Sequence, residues 1–275
     1  MGRRADVKLK IGGASITEAM AAGGRLRWHM DANDGAVAPL LQRAIAQVHA
    51  GRPDAARALC EQALAAAPAG AGHPAIHQML AVLCMQAADA PAARRHIQAS
   101  LATRPDHLPS LKIAGDAARA TGDWRDARRC YEQVLAQEPG RPDVALALAD
   151  ALLALHDAAA CERVLADLVG RAPSLHDAWF RLSLVRQDLG DFDGAIDALH
   201  RVLALTPHHA EAEVNLGIVL QETGRIDDAM QAYGRAYRLR EDTFGRIAHA
   251  LSTPRVGRLW LDLDTLRAAL RAAAA

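Results

Sequence analysis

Histidines, cysteines and carboxylates are the side chains here that could do chemistry, and their spacing decides what chemistry is open to them. His73 and His77 stand four residues apart, the interval that puts two imidazoles on one helix face for a metal ion. Pro74, however, sets His73 outside the helix that would carry His77, and the adjacent His208 and His209 read as loop residues. Cys60, Cys84, Cys130 and Cys161 lack CxxC spacing and read as core thiols. No nucleophile beside a base, paired catalytic carboxylates or phosphate-cradling glycine loop can be picked out. The sequence therefore assigns no catalytic, metal or cofactor-binding residue, and it reads as a non-enzyme.

Composition excludes further classes. The 275 residues carry equal numbers of basic and acidic side chains, so no global field draws nucleic acid or an anionic membrane. Aromatics are only 4%, so the core must be built from Leu, Val and Ala, which suits closely packed helices rather than an aromatic-lined cofactor cavity. No run approaches the ~20 apolar residues of a membrane span, and the basic N-terminus lacks the apolar stretch of a secretory signal. The expected location is the cytoplasm.

The elements that position these residues follow from one stretch, 210 to 243, which reads as two amphipathic helices joined at Thr223 and Gly224. Numbering it from 1, a small residue at position 20 recurs upstream as Ala195, Cys161, Ala127, Ala93 and Ala56, in steps of 34 apart from one of 37. Position 32 gives Pro207, Pro173, Pro139, Pro105 and Pro68, and position 8 gives Gly217, Ser183, Ala149, Gly115, Ala81 and Ala44. Gly51, Gly122, Gly190 and Gly224 mark the turn at position 15, where Ala88 and His156 depart from glycine. Tyr131 and Tyr233 fill position 24, and Trp179 fills position 4.

This pattern resembles the tetratricopeptide repeat, a 34-residue helix-turn-helix unit. The resemblance implies an all-α fold: a right-handed superhelical solenoid of six repeats at 37–70, 74–107, 108–141, 142–175, 176–209 and 210–243, with a C-terminal capping helix. A basic segment and linker occupy 1–36, where VKLKI at 7 to 11 alternates like a short strand and Ser15 with Glu18 forms a capping box. Beyond the repeats, 244–275 holds the cap, with Phe244, Ile247, Ala248 and Leu251 at helical spacing, and a short helix with Asp264 as N-cap. Leu259, Trp260, Leu261, Leu263, Leu266 and Leu270 either fold back on the cap or dock on a second copy or a partner.

In the family, positions 2, 5, 9, 12 and 13 of the first helix of each repeat line a concave groove. Carried over, the first two repeats contribute nearly uncharged residues, among them Leu41, Gln78 and Met85. The later repeats place Lys112, Asp116, Asp143, Leu146, Asp150, Asp177, Phe180, Leu184, Glu211, Val214, Ile218 and Glu222 there, an acidic surface with an apolar floor. Asn215 and Arg181, at position 6, add hydrogen-bonding groups for an extended backbone. The family's clamp for a peptide C-terminus would map onto Lys112, Asp116, Ala147, Asp177 and Arg181, and two carboxylates among the five do not fit it. The implied function is a scaffold that binds a peptide or helical segment of a partner protein, basic and amphipathic, in the groove. The alternative is a recognition subunit that brings substrates to a separate glycosyl-, sulfo- or methyltransferase. Self-association through the C-terminal segment is a further expectation, as is occupation of the groove by the basic N-terminal segment. A convex stripe of Arg57, Arg94, Arg95, Arg128 and Arg129 reads as solvated surface.

The register makes one direct prediction. Ala127→Leu or Ala195→Leu forces packed helices apart and costs roughly 1 to 3 kcal/mol, read as a lowered denaturation midpoint.

Overall fold

The computed structural model describes residues 37–66, 73–252 and 262–273. The VKLKI strand, the Ser15–Glu18 capping box, Pro68 and the residues from 259 to 261 lie outside them. The described residues form fourteen α-helices and no strand, in two compact units, Met1–Leu155 and His156–Ala275. The first unit holds α1 (Val37–His49), α2 (Pro53–Ala66), α3 (Pro74–Gln86), α4 (Ala90–Thr103), α5 (Leu108–Ala120), α6 (Trp124–Gln137) and α7 (Pro142–Ala154). The second holds α8 (Ala158–Arg171), α9 (His176–Asp188), α10 (Phe192–Leu205), α11 (Ala210–Glu222), α12 (Ile226–Leu239), a single 3-10 turn, α13 (Phe244–Ser252) and α14 (Leu263–Ala273). Helices α1 to α12 start and stop where the 34-residue register places them, and six repeats fit them.

Two local devices make each hairpin. At position 15 the backbone turns left-handed, with φ of 70 to 78° at the four glycines and 58° at both Ala88 and His156. The turn is thus kept where glycine is missing, and there the side chain costs roughly 1–2 kcal/mol. The residue after the turn then closes the first helix, as in Asp89 N to Cys84 O and Asp123 N to Ala118 O, both 2.9 Å. Asp89, Asp123, Asp157 and Asp191 serve the next helix as well. Their carboxylates accept from Ala92 N, Asp126 N, Ala160 N and Gly194 N at 3.0 to 3.2 Å, capping α4, α6, α8 and α10.

The core is set by position 8 against position 24. Gly115 lies under the ring of Tyr131, where an added Cβ would meet Cε1 at 2.5 Å, and Gly217 lies in the same way under Tyr233. Where position 8 is larger, position 24 is smaller: Ala44 with Cys60, Ala81 with Ile97, Ser183 with Leu199, all buried. Burial holds these residues chemically silent. Desolvation pushes the Cys60 thiol up to about 12 and the Cys130 thiol up to about 11, which removes the thiolate a reactive cysteine needs.

The C-terminal cap forms, with Ile247 and Leu251 buried in the core of the second unit. Leu266 and Leu270 of α14 join the same core, so these two fold back, while Leu263 is half exposed. Asp264 is not the N-cap of α14. The helix begins at Leu263, so Asp262 stands at the cap, accepts from Asp264 N at 3.0 Å and takes the Thr265 hydroxyl.

Repeat 2 places two histidines at the contact between positions 4 and 23. Leu40 and Leu59 fill these places in repeat 1, but in repeat 2 His77 and His96 do, with their Nδ1 atoms 3.2 Å apart. One ring donates and the other accepts, which needs at least the accepting ring neutral. Burial lowers the pKa of His77, helped by His96 and His73; burial also lowers that of His96, helped by Arg95 and Arg57.

Two outcomes follow. Ala88→Gly and His156→Gly relieve the left-handed side chains and each raises stability by about 0.5–1 kcal/mol once the entropy of glycine is deducted, read in thermal melts. For the histidines the unfolded chain binds protons more readily than the folded one, so stability falls as pH drops through the unfolded pKa of about 6.5. A His77→Leu/His96→Leu variant therefore loses less stability between pH 7.5 and 5 than the parent, as urea titrations at the two pH values will show.

Candidate functional site

The groove residues expected from the register sit on the first helices of the later repeats, α5 and α7 in the first unit and α9 and α11 in the second. The structure distributes them into three environments. Some are spent on the fold, some are neutralised by neighbouring cations, and some face solvent.

In the first unit the acids are largely neutralised. Asp116 is only 7% exposed; its Oδ1 accepts from the Tyr131 hydroxyl at 2.8 Å and its Oδ2 from Lys112 Nζ at 2.8 Å. Burial, and the Asp116 carboxylate beside it, push the Tyr131 phenol pKa up. Asp143 is gripped at both oxygens by Arg141, each at 3.0 Å, with Lys112 3.9 Å away. Desolvation opposes ionisation of Asp143, but the Arg141 bonds and charge, with Lys112, outweigh it and hold the carboxyl below the usual range. Lys112, bridging two carboxylates, has no free charge for a peptide terminus, a second reason why the C-terminal clamp does not fit. Leu146 and Asp150 are half-buried on α7, and Leu153, one turn beyond Asp150, is exposed.

In the second unit the α9 face is more open. Asp177 is exposed and lies 3.1 Å from His176 Nε2. Leu184 is exposed, and Phe180 and Arg181 are half-buried. The Phe180 ring stacks on His209 with centroids 5.0 Å apart. His209 is more than a loop residue: it is the N-cap of α11, its Nδ1 accepting from Ala212 N at 3.1 Å. On α11, Val214 is fully buried in the core of the second unit and cannot serve as an exposed anchor. Leu41 and Gln78, at the same position in repeats 1 and 2, are buried as well. Ile218 is half-buried and Glu222 exposed. Asn215 Oδ1 and Glu211 are both engaged by Arg246 of α13, the amide oxygen at 3.0 Å. Nothing in the sequence marked Arg246, because it lies past the last repeat and acts at a distance of 31 residues.

The convex arginines are mostly compensated. Arg57 pairs with Glu61, Arg94 with Asp123 and Asp126, Arg128 with Glu132 and Arg129 with Asp126. The expected basic stripe carries little net field. Among the described residues no cluster of three or more His, Cys, Asp or Glu side chains could hold a metal ion. The partner of His77 is His96 across the hairpin. No described helix is long and apolar enough to cross a membrane.

Comparison with known proteins places the fold. Models of the tetratricopeptide repeat match residues 47–114, 118–183 and 180–244. No curated protein sequence matches. Among solved structures, YrrB, described as a tetratricopeptide repeat protein with an unusual peptide-binding site, superposes with a TM-score of 0.61 at 17% identity over 67% of this chain and 94% of its own. A tetratricopeptide repeat protein from Parabacteroides merdae gives 0.59 at 12% identity over 85% and 98%. MamA from Desulfovibrio magneticus gives 0.57 at 18% identity over 64% and 98%. Identities this low carry the fold alone, whereas the repeat models span most of the sequence, and by them the chain belongs to the tetratricopeptide repeat family.

Proposed function

We propose that this chain is a non-enzymatic scaffold that binds a segment of a partner protein on the first-helix faces of its repeats. The observation that carries this reading is large apolar surface left open at groove-lining positions. Leu153 on α7 is 38% exposed and Leu184 on α9 is 37% exposed, although Leu152 and Leu182 on the same helices are buried; Leu189, Leu205 and Leu263, away from the groove positions, are exposed as well. Exposed leucine next to half-buried Phe180 and Ile218 gives a docking segment apolar anchors, and such anchors supply most of the affinity in protein recognition. The exposed carboxylates Asp177 and Glu222 stand around them and favour a basic, amphipathic segment, with charge acting mainly on the rate of encounter. YrrB, with its peptide-binding site, supports the same reading by analogy of fold.

Self-association through the C-terminal helix has less support, since Leu266 and Leu270 are already used within the chain. A different protein is the better fit as partner.

The test is capture of partners from the native cell on immobilised protein, with Leu184→Asp and Leu153→Asp as controls that keep the helical circular dichroism signal. The expected result is a partner retained by the parent and lost, by roughly tenfold or more in affinity, with Leu184→Asp. Asp177→Asn with Glu222→Gln leaves the affinity at high salt unchanged and flattens its salt dependence. Retention of the same partners by both aspartate variants, or turnover of a substrate by the purified chain, overturns the proposal.

A further inference from the structure

The repeat-6 end of the second unit contains a polar site already filled by the chain itself. Glu211 and Asn215 stand four residues apart on α11, one turn on the same face. Arg246 reaches them from α13: one terminal nitrogen donates to Asn215 Oδ1 at 3.0 Å and the other pairs with Glu211. A carboxylate and an amide oxygen side by side suit the planar fork of a guanidinium, which a lysine ammonium cannot match at both points. Arg240 also approaches Glu211, at 3.7 Å. Two cations thus converge on one carboxylate.

The two sides of this contact differ in how firmly they are held. Asn215 is 6% exposed and fixed in the face of α11, whereas the Arg246 side chain is 49% exposed. The backbone of α13 is anchored separately, by Ile247 and Leu251 in the core and by the Gln221 amide donating to Ala250 O at 3.0 Å. Arg246 can therefore rotate into solvent while α13 stays in place. Its departure leaves a nearly buried amide oxygen without its donor, a state that favours any replacement donor. Beside the contact lies an open cleft of about 430 Å³, lined by Ile218, Glu222, Gly245, His249 and Ala250 among others. A Cβ added at Gly245 would meet nothing within 4 Å, so this wall leaves room for a neighbouring residue.

From this geometry we infer that Glu211 and Asn215 form a guanidinium-recognition site, that Arg246 fills it in the free protein, and that the partner segment carries an arginine that takes its place. This rests on the proposed scaffold function and makes it specific: the ligand is an arginine-bearing segment with an apolar neighbour for the cleft. Arg246 acts as an internal competitor, so the apparent affinity is reduced by the fraction of time the site is occupied.

The experiment uses the full chain and a fluorescein-labelled peptide, acetyl-Ala-Leu-Arg-Leu-Ala-amide, beside a twin with citrulline for arginine, which keeps the shape and loses the charge. Binding is followed by fluorescence anisotropy at low salt. Arg246→Ala is expected to bind the arginine peptide about five- to tenfold more tightly than the parent and to show no such gain with the citrulline peptide. Adding Asn215→Leu to Arg246→Ala removes the gain. Equal binding by the parent and Arg246→Ala, or an equal gain for both peptides, overturns the inference. Should Arg246→Ala melt below the working temperature, the parent is titrated with arginine amide and the Asn215 side-chain amide followed by NMR. A saturable shift that citrulline amide does not reproduce supports the site, and its absence overturns it. Loss of partner capture by Leu184→Asp together with no peptide effect here would leave the scaffold function standing and this site refuted.

Discussion

The packing of position 8 against position 24 is the constraint on which the rest of the structure depends. A helix pair can approach only as closely as its bulkiest facing side chains permit, and interiors are filled to crystal-like density. In four repeats a large residue is set against a small one: glycine meets tyrosine in repeats 3 and 6, alanine meets isoleucine in repeat 2, and serine meets leucine in repeat 5, whereas repeat 1 sets Ala44 against the small Cys60. Where one large partner is balanced by one small one, the hairpins close to a similar geometry and the same short turn can join them. The turn follows from the packing rather than the reverse, since Ala88 and His156 adopt the left-handed conformation that glycine would adopt at less cost.

Much of the architecture was legible because it is periodic. A 34-residue repeat states its helix boundaries many times over, and a departure at one repeat is outvoted by the others. The two non-glycine turns could be flagged from sequence, yet their conformation is settled by the helices on either side. What periodicity could not convey is who neutralises whom. The register put Asp116 and Asp143 on the first helices, but their charge is absorbed by Lys112, by Arg141 from the preceding loop and by a phenol from the second helix. These partners lie at different positions in different repeats, so no repeat-wide rule announces them. The same holds for Val214, a groove position by number that is fully buried in the core of its unit. Asp264 was misread for a simpler reason: two aspartates lie two residues apart, and cap assignment turns on which one precedes the first helical residue.

A chain of zero net charge can still carry local fields, and here most are locally cancelled. Ion pairs at three- and four-residue spacing tie down the convex arginines, and each is exposed enough to contribute little to stability. Their effect is on what the surface offers to others. Once paired charges are discounted, the surface of each unit is better described by its individual exposed side chains than by a formal count of charge.

The hydroxyls of Tyr131 and Tyr233 have a consequence for how the repeats can change independently. Each ring fills the core at position 24, and each buried hydroxyl donates to a first-helix residue that is itself buried, Asp116 in one case and Gln221 in the other. In repeats that use leucine or isoleucine there, position 24 makes no such hydrogen bond to the first helix. In repeats 3 and 6 inner and outer layers are wired together, and losing the acceptor strands a nearly buried phenol. Those two modules are the ones in which a substitution at the first-helix acceptor is transmitted most directly to the stability of the hairpin.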